Sequence, residues 1–88
     1  MDNLILYTRD LCPYCEELKA ELKNYTNHVN VEIHEIATRP ERDILYKEWG
    51  LSGHKATMPQ LFLVREDGSY ERIGDSKESS EWLEVMYS

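Results

Sequence analysis

The chain has 88 residues, 41% hydrophobic and 31% charged, a balance that excludes a disordered segment and predicts one domain over residues 1–88. Its formal net charge of -7, with ten scattered lysines and arginines, disfavours nucleic acid as a partner. Two cysteines are too few for a secreted disulfide scaffold, and no apolar run approaches the roughly 18 residues that cross a membrane, so we expect a cytoplasmic location.

The first half of the chain predicts two strands and two helices in alternation. Residues 4–7 form an unbroken apolar run, which is typical of a central strand covered on both faces. A helix follows at Pro13, which suits a first helical turn and precedes an apolar stripe with spacings of three and four residues. Alternation over residues 29–34 indicates a second strand. Thr38-Arg39-Pro40-Glu41 has the form of a capping box, so a second helix begins there and ends at Gly50.

The second half predicts a hairpin and a third helix. Residues 60–64 and 70–73 have strand patterns, and the turn residues 66–69 between them indicate antiparallel pairing. The helix begins near residue 75. Its inward side chains are expected to be Trp82, Leu83 and Met86.

The predicted element order is therefore βαβαββα. A helical crossover joins parallel strands and a hairpin joins antiparallel ones. We expect an α/β fold with a mixed four-stranded sheet, in the strand order 2-1-3-4, and three helices on its two faces. This is the thioredoxin-like architecture, although element order alone also allows other α/β sandwiches.

Cys12 and Cys15 form a Cys-x-x-Cys pair at the start of the first helix. Unpaired N–H groups and the helix dipole stabilise a thiolate on Cys12, which lowers its thiol pKa from about 8.5 to roughly 3.5–7.5. Cys15 lies one turn later on the apolar stripe and should remain a thiol. We therefore predict that Cys12 attacks a disulfide and that Cys15 resolves the mixed disulfide.

Two other roles for this cysteine pair are open. A structural disulfide is a poor alternative, because so short a loop removes little unfolded-state entropy and a reducing cytosol would open it. Half of a zinc site is conceivable, but the chain has no second cysteine pair and its three histidines show no paired ligand spacing. We expect no bound metal.

The segment from Tyr7 to Cys15, with Thr57-Met58-Pro59-Gln60 downstream, resembles the dithiol glutaredoxins. Cys-Pro-Tyr-Cys is the active-site form typical of that family, and the resemblance covers almost the whole chain. The segment 51–56, which precedes Thr57, is longer than in many compact relatives and is similar to extensions in phage-type members. The resemblance implies a thiol–disulfide oxidoreductase that reduces protein disulfides and glutathione mixed disulfides, with glutathione as the reducing co-substrate and no bound cofactor.

The resemblance also implies where glutathione binds. Pro59 would be a cis-proline facing Cys12, and Met58 would offer its backbone to the cysteinyl part of glutathione. Arg9 and Arg42 match positions that hold the glycine carboxylate by charge-assisted hydrogen bonds. Further contacts are expected from Tyr14 and Thr57.

The γ-glutamyl group would be cradled by Gly74, Asp75 and Ser76 at the start of the third helix. This chain departs from the family there, because Asp75 replaces a second glycine and Glu78 stands where an aspartate is common. Asp75 could instead cap the helix, and Glu78 could meet the ammonium group of glutathione.

The expected partners are glutathione and disulfide-containing proteins, with ribonucleotide reductase as a family-level expectation and no membrane. We expect a monomer. Three other functions are open: a thioredoxin-like electron donor recharged by a reductase, an iron–sulfur or metal carrier, and an interaction subunit that docks through its acidic surface. Pro13 disfavours the carrier, because cluster-binding relatives tend to have Gly or Ser at that position.

Overall fold

The structure is a computed structural model, and it describes residues 1–87. All seven predicted elements are present, in the predicted order. The strands are β1 (Asp2–Thr8), β2 (Val29–Glu35), β3 (Gln60–Val64) and β4 (Tyr70–Gly74), and the helices are α1 (Pro13–Leu22), α2 (Arg39–Glu48) and α3 (Ser76–Tyr87). Within this part of the chain, every helix is too short or too polar to cross a bilayer.

The four strands form one mixed sheet in the order β2-β1-β3-β4, which confirms the predicted topology. β1 is parallel to β2 and antiparallel to β3, and β3 and β4 form the hairpin. In the hairpin turn, the carboxylate of Asp67 accepts the Ser69 amide at 2.9 Å, and Gly68 has a φ of +86°. Glycine suits this position because residues with a β-carbon rarely adopt such a φ.

The capping and termination of α2 also follow the sequence pattern. The Thr38 hydroxyl accepts the Glu41 amide at 3.4 Å and donates to the Glu41 carboxylate at 2.7 Å. The helix ends at Glu48, two residues before the left-handed Gly50, whose φ is +71°.

The central strand β1 separates two clusters of buried side chains. Leu4 and Leu6 pack with residues of α1 and α3, including Leu18 and Leu83. Alternate residues of a strand face opposite sides of a sheet, so Tyr7 packs elsewhere, against a cluster built on Cys15, Tyr46 and Met58. This second cluster brings together the start of α1, α2 and the chain just before β3.

The inward face of α3 differs from the prediction at one residue. Leu83 is fully buried and Trp82 packs against the core, but Met86 is 52% exposed, so the prediction for Met86 is wrong. The buried stripe is centred on Ser79 and Leu83 and continues to Tyr87, which places Met86 on its flank. A polar residue can occupy this stripe because the Ser79 hydroxyl donates to the Gly74 carbonyl at 3.0 Å.

Candidate active site

Cys12 is the N-cap residue of α1, and Pro13 is the first residue of the helix. The extended backbone of Cys12 turns its side chain over the helix start, where Sγ accepts the Cys15 amide at 3.2 Å. This contact satisfies one of the N–H groups that a helix start leaves without a backbone partner. The same donor, at the positive end of the helix dipole, stabilises negative charge on the sulfur.

Cys12 and Cys15 are joined by a disulfide, with their Cα atoms 5.2 Å apart. Cys12 is half-buried, whereas Cys15 is completely buried beside Tyr46 and Met58. A reagent that approaches from solvent therefore reaches the Cys12 sulfur first. This difference in access is what the predicted roles of attacking and resolving thiol require.

The segment before β3 faces the cysteine pair. The peptide bond between Met58 and Pro59 is cis, as the resemblance implies. The Met58 carbonyl oxygen lies 3.7 Å from Cys12 Sγ, a distance at which a reduced thiol could donate to it. Met58 and Pro59 are buried and Thr57 is exposed. The backbone of residues 57–59 thus forms one wall of the site.

Two exposed apolar side chains adjoin the cysteines in the sequence. Leu11 is 94% exposed and has a φ of +49°, and Tyr14 is 63% exposed. Isolated exposed apolar residues are common on protein surfaces.

A cationic cavity of about 510 Å³ adjoins the site through Tyr46 and Ala56, which pack with the buried cysteine. Three arginines line it, Arg9, Arg39 and Arg42, together with one carboxylate, that of Asp43, which lies 3.9 Å from Arg39 Nε. Arg9 and Arg42 were expected from the sequence, but Arg39, which lies one turn before Arg42 on the same helix, was not. This spacing is the signal that could have found it.

Arg42 and the neighbouring Tyr46 offer a ligand hydrogen-bonding groups of different kinds. Arg42 is only 7% exposed, and its Nη1 donates to the carbonyls of Ile36 and Ala37, each at 3.0 Å. A guanidinium has further donors on Nε and Nη2, which these two contacts leave available. Burial raises the pKa of the Tyr46 phenol, against the lowering effect of Arg42 and Arg9, so Tyr46 is a neutral hydroxyl near pH 7.

The start of α3 is capped by the chain itself. Asp75 accepts the Glu78 amide at 3.0 Å, and Glu78 Oε1 accepts the Asp75 amide at 3.2 Å. Asp75 therefore adopts the capping alternative. Gly74 has a φ of +144°, and a Cβ there would lie 2.5 Å from the Glu78 Cβ. Ser76 lines a groove of about 450 Å³ together with Tyr14, which places this helix start beside α1.

A polar residue beside the cis-proline is the clearest feature that the sequence analysis missed. Gln60 is fully buried, and its Nε2 donates to the Thr57 carbonyl at 2.9 Å. Its Oε1 accepts Arg72 Nε, also at 2.9 Å. The available signal is an amide at the head of an apolar strand, directly after Met58-Pro59.

Among residues 1–87, no group of three or more His, Cys, Asp or Glu side chains lies close enough together to hold a metal ion. The cysteine pair supplies thiol–disulfide chemistry. This pair can cycle between the disulfide and two thiols, with one sulfur accessible and stabilised as an anion.

Comparisons with known proteins point to one family. Over residues 3–84 the sequence matches the family described as Glutaredoxin-like domain (DUF836). Glutaredoxin 1 of Rickettsia prowazekii (strain Madrid E) is 34% identical over 64 residues, which span 72% of this chain and 63% of that protein. The match thus covers less than two thirds of the relative's length.

Solved structures with the same architecture include two glutaredoxins. The crystal structure of glutaredoxin 1 from Francisella tularensis complexed with cacodylate has a TM-score of 0.73 and 26% identity, with 100% of both chains covered. The solution structure of glutaredoxin from Brucella melitensis has a TM-score of 0.62 and 28% identity, covering 99% of this chain and 83% of that one. The predicted fold and resemblance are confirmed: the chain belongs to the glutaredoxin-like domain family.

Proposed function

We propose that this chain is a thiol–disulfide oxidoreductase that uses glutathione as its reducing co-substrate and binds no cofactor. Cys12 is the nucleophile and Cys15 the resolving thiol. One observation carries the proposal: the accessible Cys12 sulfur accepts the Cys15 amide at the start of α1 and lies 3.7 Å from the Met58 carbonyl. The Cys15 amide favours a thiolate on Cys12, and the Met58 carbonyl marks the backbone wall on which a substrate can be held.

With a glutathione mixed disulfide, the Cys12 thiolate attacks the glutathione sulfur and forms a Cys12–glutathione disulfide, and the substrate thiolate leaves. A second glutathione thiolate attacks this intermediate, which releases oxidised glutathione and restores Cys12. With a protein disulfide, Cys15 attacks Cys12 in the mixed disulfide and releases the second substrate thiol. The Cys12–Cys15 disulfide in the structure is the oxidised product of that route, and two glutathione thiols reduce it.

The described side chains suggest how glutathione is held. Its cysteinyl part would pair with the backbone of Thr57 and Met58 beside Pro59. Its glycine carboxylate would enter the arginine cavity and meet Arg9, Arg39 and the donors of Arg42 that remain available. The remaining contacts would come from Tyr14, Gly74, Asp75 and Ser76, and Glu78 would face the ammonium group.

A second candidate is a thioredoxin-like electron donor that a reductase recharges. It is favoured by the start of α3, where Asp75 and Glu78 already occupy each other's amides and leave fewer donors for the γ-glutamyl carboxylate. A reductase would contact the cysteine pair without needing those amides. The discriminating measurement is turnover with glutathione alone against turnover with NADPH and a thioredoxin reductase.

The main test is the reduction of a glutathionylated peptide with glutathione as the only donor. Cys12→Ser should abolish turnover. Cys15→Ser should retain turnover of this substrate and lose reduction of protein disulfides, because only the protein route needs the second thiol. Equal loss of both activities in the two variants would contradict the assigned roles.

We further propose that the protein acts as a monomer in a reducing cytoplasm, on disulfide-containing proteins among which ribonucleotide reductase is one candidate. The oxidised pair needs a thiol donor to complete each cycle, and such donors are abundant in a reducing compartment. Gel filtration with light scattering tests the monomer. Trapping with the Cys15→Ser variant, which leaves Cys12 joined to its target, tests the substrate proteins.

A further inference from the structure

Gln60 connects the wall of the site to the β3–β4 hairpin. Its side chain is fully buried, and both polar ends of its amide have partners: the Thr57 carbonyl on one side and Arg72 on the other. Burying an amide is costly unless it is hydrogen-bonded, and these two contacts meet that requirement for Gln60.

Arg72 determines which way the Gln60 amide points. An arginine side chain has donors only, so the Gln60 oxygen must face Arg72 and its NH₂ group must face Thr57. Arg72 is itself held from the other side, since its Nη2 lies 3.4 Å from Glu78 Oε1. That same oxygen accepts the Asp75 amide at the start of α3. The contacts therefore run from α3 through Arg72 and Gln60 to the backbone of the site.

The Thr57 carbonyl belongs to the same planar peptide unit as the Met58 N–H, which points in the opposite direction because this peptide is trans. Holding the carbonyl therefore fixes the direction of the N–H. The next carbonyl, that of Met58, lies 3.7 Å from Cys12 Sγ. The orientation of the wall beside the reactive sulfur thus depends on the amide of Gln60.

We propose that Gln60, oriented by Arg72, is a positioning residue for disulfide exchange: it sets the Thr57–Met58 peptide at the angle that aligns a substrate sulfur with Cys12. This inference rests on the proposed function. Neither side chain touches the reacting sulfurs, so their effect should appear in the handling of a disulfide substrate and not in the intrinsic reactivity of the Cys12 thiol.

The test compares three variants with the wild-type protein. Gln60→Glu keeps the acceptor for Arg72 but removes the donor to Thr57, and Gln60→Met removes both. Arg65→Met is the matched control, because Arg65 is an exposed arginine on the same hairpin whose ion pair with Glu71, at 2.7 Å, lies away from the site. Two quantities are measured: kcat/KM for a glutathionylated peptide, and the rate of Cys12 alkylation by iodoacetamide across pH.

We expect Gln60→Glu and Gln60→Met each to lower kcat/KM by about 10-fold or more, the effect of losing one buried hydrogen bond. The alkylation profile should not move, because iodoacetamide needs the thiolate but no backbone wall. Arg65→Met should change either quantity by less than about twofold, as is usual for a surface substitution.

Three results would overturn the proposal. One is a folded Gln60→Glu variant with kcat/KM within about twofold of the wild type. Another is a pH profile of alkylation that shifts together with turnover, which would mean that Gln60 acts on the thiol itself. If neither Gln60 variant folds, Arg72→Met at a half-buried position replaces them, and unchanged kcat/KM there would refute the role.

The wild-type protein separates this inference from the proposed function. If it does not turn over the glutathionylated peptide, the glutathione proposal fails, and the same variants are compared on a protein disulfide with dithiothreitol as donor. A defect of about 10-fold in that assay would still support the positioning role. A wild-type protein inactive on both substrates would overturn both proposals.

Discussion

The γ-glutamyl group of glutathione carries one carboxylate and one ammonium, and at the start of α3 it would meet carboxylates of this chain. Asp75 and Glu78 occupy each other's amides at 3.0 and 3.2 Å. We predict that removing the γ-glutamyl carboxylate from a substrate costs this protein little. The perturbation is a series of thiols: glutathione, γ-aminobutyryl-cysteinylglycine, which lacks only that carboxylate, and glutaryl-cysteinylglycine, which lacks only the ammonium.

The expected magnitudes follow from which amides are available. An open helix start would hold the carboxylate by hydrogen bonds worth about 1.5–3 kcal/mol, and its removal would lower kcat/KM about 10- to 150-fold. Here those amides are occupied, and the carboxylate would lie near Glu78, whose side chain is 53% exposed and therefore well screened by solvent. The repulsion is at most about 1 kcal/mol, so the γ-aminobutyryl substrate should react as fast as glutathione or up to about 5-fold faster. The glutaryl substrate should be the slowest.

The assay measures single-turnover reduction of the three mixed disulfides by the prereduced protein. Glu78→Gln should bring the reduction rates of the three substrates closer together, because it removes the negative charge that distinguishes them. Glu66→Gln removes the same charge from the exposed hairpin turn and should leave the ratios unchanged. A loss of about 10-fold or more with the γ-aminobutyryl substrate would show that the carboxylate is bound, and would refute the reasoning.

Most of the fold is predictable because its signals are local. Pro13 in the first turn of α1, the Thr38 cap and the turn at residues 66–69 each depend on a few neighbouring residues, and all three are found in the structure. Strand direction then follows from element order, since a crossover gives parallel strands and a hairpin gives antiparallel ones. The prediction for Met86 is wrong because hydrophobicity alone does not reveal that Ser79, whose hydroxyl is hydrogen-bonded to the Gly74 carbonyl, lies in the buried stripe of α3.

The candidate site is predictable where a residue's role depends on its place along the chain. Cys12 follows a strand and precedes Pro13, so its position at the helix start is visible in the sequence. Arg42 is different, because its guanidinium donates to two carbonyls of the loop after β2. Those carbonyls come close to Arg42 only through the path of the chain in three dimensions, which the sequence does not reveal. Asp75 lies between these cases, because Glu78 three residues later is the spacing of a capping box.

Three further predictions concern stability. Gly74→Ala should lower the free energy of unfolding in urea by about 2 kcal/mol or more, because the added Cβ would lie 2.5 Å from the Glu78 Cβ; a smaller effect would mean that the helix start shifts freely. Leu11→Asn should raise it by about 0.5–1 kcal/mol, because asparagine tolerates the φ of +49° better than leucine and the 94% exposed side chain loses no packing. Burial, and then the hydrogen bond from the Tyr87 hydroxyl to the Asp2 carboxylate at 2.6 Å, raise the pKa of Tyr87. A raised pKa in the folded state means a contribution that is complete below the ordinary tyrosine pKa of about 10 and is lost as pH rises toward the folded value. The melting temperature should therefore fall more steeply above about pH 10 in the wild type than in Tyr87→Phe, and parallel curves would contradict the assignment.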